Sequence, residues 1–152
     1  MPVPRRLAAA LVATLAALAG CSTDDAPPDR CASAIPGFGW LAYASRRAGN
    51  YDIRLVSADG ACDRAVTSDP SDELSPSFSV SANAVAYAGI RDGRQVVLVH
   101  DLATGAERVL DTGGLAAVNP AISPNGGMVA FEGRVAGQDP PARPDVYVVL
   151  LA

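Results

Sequence analysis

Five residues of this chain return at one fixed interval. Pro76, Ser79, Val85, Ala86 and Tyr87 reappear as Pro120, Ser123, Val129, Ala130 and Phe131, each 44 positions later. One interval upstream, Leu41-Ala42-Tyr43-Ala44 stands where Val85-Ala86-Tyr87-Ala88 would be. Short apolar runs between these anchors are closed by turn signals at Asp59-Gly60, Asp92-Gly93, Thr104-Gly105 and Asn125-Gly126. Such a period in strand-like sequence is a signature of the β-propeller blade, an antiparallel sheet of four strands. The expected fold is all-β: an incomplete β-propeller with blades at residues 35–73, 74–117 and 118–152. That is about 2.7 four-stranded antiparallel blades, the third short of its last strand, whereas rings close with about four to eight. An open stack leaves blade faces uncovered and Val146–Leu151 as an edge strand, so missing blades are expected from a longer chain, a second copy or a partner.

The parity of the second strands says how the blades meet. Leu41, Tyr43, Val85, Tyr87, Val129 and Phe131 fall on one face of their sheets, and Ala42, Ala44, Ala86, Ala88 and Ala130 on the other. Strands apolar on both faces are buried on both. Stacking achieves this by laying the bulky face of one blade on the alanine face of the next. A two-sheet sandwich built from the same strands would not need the fixed period.

The N-terminus has a different character. Two arginines, Arg5 and Arg6, precede a 14-residue apolar run, Leu7–Gly20. As a helix the run reaches about 21 Å, short of a hydrocarbon core about 30 Å thick, so it reads as an export signal at residues 1–20. Its end, Leu18-Ala19-Gly20-Cys21, resembles the bacterial lipoprotein signal, which implies lipidation of Cys21 and cleavage before it. Ser22 after the lipid site implies, by the same resemblance, the outer membrane facing the periplasm. Residues 21–34, polar and proline-containing, form the tether. Loss of Arg5 and Arg6 leaves 10 basic against 16 acidic residues, a balance that excludes a broad footprint for nucleic acid or anionic lipid. Cys31 and Cys62 remain, and in an oxidising compartment a Cys31–Cys62 disulfide is expected.

Ser123-Pro124-Asn125-Gly126-Gly127-Met128-Val129-Ala130-Phe131, followed by Asp145-Val146-Tyr147-Val148, resembles the TolB-type propeller repeat. Repeat one keeps Asp52-Ile53-Arg54-Leu55-Val56, and repeat two departs with Val80-Ser81-Ala82-Asn83 at the turn. The resemblance covers residues 35–152. It implies a protein-binding scaffold of the cell envelope, since TolB-type propellers dock to envelope partners such as peptidoglycan-associated lipoproteins. Two other functions fit a propeller: the N-terminal piece of a larger hydrolase such as a prolyl-oligopeptidase-like peptidase, and a glycan- or peptidoglycan-binding module.

The sequence offers no catalytic residue, cofactor site or metal site. Gly-x-Ser-x-Gly, Walker, His-Glu-x-x-His and EF-hand patterns are absent. The single histidine, His100, beside Asp101, reads as a surface substitution. Asp69, Asp72 and Glu73 read as a solvated acidic linker, with calcium ligation as the sharper alternative. Trp40 and Tyr43 suit core or rim packing as well as stacking on a sugar. The lipid expectation is directly testable: labelled palmitate fed to expressing cells enters the wild type and not Cys21→Ala, and equal labelling of both refutes it.

Overall fold

The computed structural model describes residue 31 and residues 39–47, 49–137 and 143–151. Cys21, the expected signal segment and most of the tether lie outside the described residues. Ten strands are described: β1 (Trp40–Ser45), β2 (Asp52–Ser57), β3 (Asp63–Ala65), β4 (Leu74–Ser79), β5 (Ala84–Arg91), β6 (Arg94–Asp101), β7 (Glu107–Val109), β8 (Leu115–Ile122), β9 (Met128–Val135) and β10 (Asp145–Leu150). They form three antiparallel sheets in plain chain order, β1-β2-β3, β4-β5-β6-β7 and β8-β9-β10. These are the three blades; among the described residues they do not close into a ring.

The blades meet as the strand parity requires. Ala42 and Ala44 pair with Leu55 and Ile53, which puts all four on one face of blade 1. That face covers Val85, Tyr87 and Leu98 of blade 2, with Ile53, Leu55, Val85, Tyr87 and Leu98 all fully buried. The alanine face of blade 2, Ala84 and Ala86 beside Val97 and Val99, receives Ile122, Val129 and Phe131 of blade 3. Small side chains opposite large ones let two pleated surfaces interlock at crystal-like density. Burying one Val, Leu or Tyr in such a layer contributes roughly 1.5–3 kcal/mol, so the two layers hold the stack together.

Polar staples lock the register between β4 and β8, the first strands of their blades. The Ser75 hydroxyl donates to Asn119 Oδ1 at 3.0 Å, Ser77 Oγ accepts the Ile122 amide at 3.1 Å, and the Ser79 hydroxyl donates to the Pro124 carbonyl at 2.8 Å. Ser75 and Asn119 are repeat equivalents, and both sit at positive φ, 53° and 50°. Each lies within a register break in its strand, between Leu74 and Ser77 and between Val118 and Ala121. A bulge at the same repeat position in both strands bends them alike.

Burial on both faces holds for the middle blade, where Ala84–Gly89 is buried throughout, and fails at the two ends. Leu41 is 64% exposed. Its face of blade 1 carries Arg54, opposite Tyr43, where blade 2 has buried Leu98 opposite Tyr87. Arg54, Arg47 and the Tyr43 hydroxyl converge on Asp63, with Arg54 Nε at 2.9 Å and Arg47 at 2.7 Å from its carboxylate. These partners hold the Asp63 carboxyl below its ordinary value despite some desolvation. The outer strand of blade 1 is short, Asp63–Ala65. Val66 turns into the core and the Thr67 hydroxyl accepts the Ile53 amide at 2.9 Å.

Cys31 and Cys62 are joined by a disulfide, with Cα atoms 5.2 Å apart. It ties the segment before β1 to the start of β3. Closing a loop of sequence separation 31 removes unfolded-state entropy worth about 3–4 kcal/mol. Unreduced tryptic peptides should carry Cys31 and Cys62 together, and Cys62→Ser should lower stability by an amount of that order in denaturant titration. Two alkylatable thiols in protein isolated from the envelope would contradict the pairing.

Candidate functional site

Two surfaces stand out once the sheets are in place. One is a charged cleft between blades 1 and 2, and the other is the outer face of blade 3.

The cleft forms where the chain leaves β3 and runs to β4. Of its acidic residues, Asp72 is exposed, as a solvated linker requires, Asp69 is half-buried and Glu73 departs from that reading. Asp69 Oδ1 accepts the Ser71 amide at 2.9 Å and Asp72 Oδ1 accepts the Tyr51 amide at 2.9 Å. Both are loop-fixing contacts. Glu73 is 0% exposed: its amide donates to the Tyr51 carbonyl at 2.7 Å, which pins the chain between the blades and turns the side chain inward. Arg91, at the end of β5, reaches across to three carboxylates, with Nη2 3.2 Å from Glu73, 3.0 Å from Glu107 and 3.6 Å from Asp69. The Tyr87 hydroxyl donates to Glu107. Tyr87 and Glu107 repeat the spacing of Tyr43 and Asp63, 20 residues apart in each case.

A cavity of about 460 Å³ opens between Thr67 and Asp69 on one side and Glu73, Arg91, His100 and Glu107 on the other. Burial pushes the Glu73 carboxyl above its ordinary value, and Thr67 and Arg91 pull it only part-way back. Burial first, then the neighbouring Glu107 carboxylate, pushes the Tyr87 phenol far up, so it stays protonated and remains a donor. His100 is half-buried and not a surface residue; desolvation lowers its pKa and favours the neutral ring. Its Nδ1, the atom a carboxylate would hold in a hydrolytic triad, has no partner. Among the described residues no three His, Cys, Asp or Glu side chains assemble to hold a metal, so Asp69, Asp72 and Glu73 do not converge as the calcium alternative requires. Trp40 packs against the core between blades 1 and 2, and the Tyr43 hydroxyl is tied to Asp63. Both belong to packing and not to a sugar platform. Arg91 and Glu107 escape a reading of the sequence; the 20-residue Tyr-to-acid spacing shared by the first two repeats is the signal that would find Glu107.

Blade 3 presents the second surface. Met128 pairs with Leu150, Ala130 with Val148 and Glu132 with Val146, which sets an apolar band on one face. Val146, Val148, Leu150 and Met128 are 78%, 60%, 77% and 44% exposed. This is the face that, in blade 2, receives blade 3: Ala130 and Val148 stand where Ala86 and Val99 stand. On the opposite face Val129 and Phe131 are buried, and Phe131 stacks on the more exposed Tyr147 at 5.8 Å between ring centroids.

No family model matches the chain. A TolB homolog from Chlorobium luteolum is 43% identical over 60 residues, 40% of this chain and 14% of that protein. The Tol-Pal system protein TolB of Bordetella pertussis is 33% identical over 66 residues, 43% of this chain and 15% of that protein. The crystal structure of TolB from Acinetobacter baumannii superposes with a TM-score of 0.59 at 26% identity, over 78% of this chain and 30% of that one. The chain is a distant, partial relative of TolB proteins. It spans about one-seventh of the length of the curated TolB proteins it matches.

The Glu73 environment makes a pH-dependent forecast. A carboxyl raised on folding holds its proton more tightly in the folded state. Stability is therefore lost as pH rises from its ordinary value of 4.5 through the folded-state value, and it stays lost above. Glu73→Gln should melt above the wild type at neutral pH, and the gap should close as pH falls below 4.5. Paired thermal melts across that range check it; a variant less stable at neutral pH would mean that the Arg91 pair outweighs desolvation.

Proposed function

We propose that this protein is a TolB-like propeller scaffold of the cell envelope, exported and lipid-anchored through Cys21, that binds protein through the open face of blade 3. The observation that carries this reading is the exposed band of Met128, Val146, Val148 and Leu150. An apolar patch of this kind on a sheet marks an interaction surface. The stack itself displays twice what such a face accepts, a neighbouring sheet presenting bulky side chains. The occupant in the cell is accordingly a blade-type sheet, whether from a partner or from more of the same polypeptide. The resemblance to TolB supports an envelope partner and a periplasm-facing location, and the Leu-Ala-Gly-Cys21 signal supports the lipid anchor and the outer membrane.

In isolation the face should be covered by the same face of a second copy. Light scattering on residues 22–152 should report a dimer or larger species, and Val148→Glu should return it to a monomer with an unchanged fold. A monodisperse wild-type monomer that melts cooperatively and binds no apolar dye would overturn the reading.

A further inference from the structure

We propose that the outer edge of β10 is a peptide-binding site that takes one extended strand of a protein partner, antiparallel to β10. The register locates the free groups. Tyr147 faces Phe131 as Leu98 faces Tyr87, so Val146, Val148 and Leu150 stand where Val97, Val99 and Asp101 stand in blade 2. There the Val97 carbonyl accepts the Leu110 amide at 2.9 Å and the Asp101 amide donates to the Ala106 carbonyl at 2.8 Å, both on the β7 side. The Leu151 amide turns the other way, to the Gly127 carbonyl at 2.8 Å, as the Leu102 amide does to Asn83. Backbone direction alternates along a strand, so the N–H and C=O of Val146, Val148 and Leu150 point away from β9. Among the described residues no strand lies on that side, since blade 3 has the order β8-β9-β10.

The edge is also undefended. Exposed sheet edges are normally blunted by charge or proline. The outermost strands of blades 1 and 2 carry Asp63 and Arg64, and Glu107 and Arg108; from Val146 to Leu150 β10 carries neither charge nor proline. The neighbouring blade fixes what fits. β7 has no counterpart in blade 3 among the described residues, and Leu110, just after it, is buried in the layer against Ile122, Val129 and Phe131. The slot beside β10 that faces β7 is one strand wide, about 4.8 Å. A second copy pairing its β10 with this one would lay its own blade 2 on the same side, against this β7. A single strand brings nothing with it. Its residues opposite Val146, Val148 and Leu150 would lie beside those side chains on the open face, where β-branched apolar residues pair best. A cavity of about 320 Å³ lined by Val99, Ile122 and Leu151 leaves room for a side chain at the strand's N-terminal end. The inference rests on the scaffold reading in one respect, that the ligand is a protein.

Hydrogen exchange, read amide by amide on the full chain in detergent, tests this with the blocked peptide acetyl-Thr-Val-Thr-Val-Thr-Val-Thr-amide as probe. At saturation the Val146, Val148 and Leu150 amides should exchange at least about tenfold more slowly, while those of Tyr147 and Val149, on the β9 side, should not change. The same peptide with proline for its central valine lacks the N–H that meets the Val148 carbonyl, and should bind at least about tenfold more weakly. Val148→Pro removes the matching donor from β10 without touching the β9 ladder, and should weaken binding likewise. Should Val148→Pro fail to fold, the two peptides make the comparison on the wild type. Exchange unchanged by the peptide, or slowed equally by its proline form, overturns the proposal. Protection without peptide overturns it too: at every dilution it puts a strand of the same polypeptide on the edge, and at high protein concentration alone it puts a second copy there. None of these outcomes bears on docking at the face of blade 3, which light scattering of Val148→Glu reads.

Discussion

The structure depends on one contact made twice: a sheet face of alanines lying on a sheet face of large side chains. Three short sheets, each about six residues deep, cannot bury enough surface alone. Ala42 and Ala44 let Val85 and Tyr87 come close, and Ala84 and Ala86 do the same for Val129 and Phe131. Any larger residue on the alanine side would hold the sheets apart, and any smaller one on the facing side would leave a void. The period in the sequence is the imprint of this requirement. Each blade must present one face of each kind to serve as neighbour on both sides.

That logic explains how much of the fold is legible. Strand pairing, the order of the sheets and the two packed faces follow from period-two alternation repeated every 44 residues, because alternation reports directly on which side of a pleat is covered. The bulges at Ser75 and Asn119 are harder to foresee. A register break depends on how a strand bends against its neighbour, and nothing local in Leu74-Ser75-Pro76 announces a positive φ on serine. The exposure of Leu41 is likewise a matter of context, since the substitution that decides it is Arg54 on the adjacent strand.

The cleft was the least legible part. Asp69, Asp72 and Glu73 are near neighbours in an acidic loop, yet two of them face solvent-side amides and the third is wholly buried. Composition treats them alike; the difference arises because the Glu73 backbone is bonded to Tyr51 as the chain crosses from one blade to the next. Arg91 and Glu107 come from strands 18 and 16 residues away from their respective partners, Glu73 and Arg91, and no motif of fixed spacing links the three. His100 reads as a surface residue because its half-burial beside the inter-blade cavity depends on the neighbouring elements, which its own strand cannot reveal.

The charged outer face of blade 1 has a consequence for assembly. Had Arg54 been a leucine, both ends of the stack would be sticky and complementary, and head-to-tail addition of copies would run on into filaments or an uncontrolled ring. With Arg54, Arg47 and Asp63 knitted across that end, burying it in another sheet would strip charged groups of water for little return. That end is thereby a poor seat for another sheet. The exposed band of blade 3 is the face left open to a neighbouring sheet, so the two ends of the stack differ in what they can take.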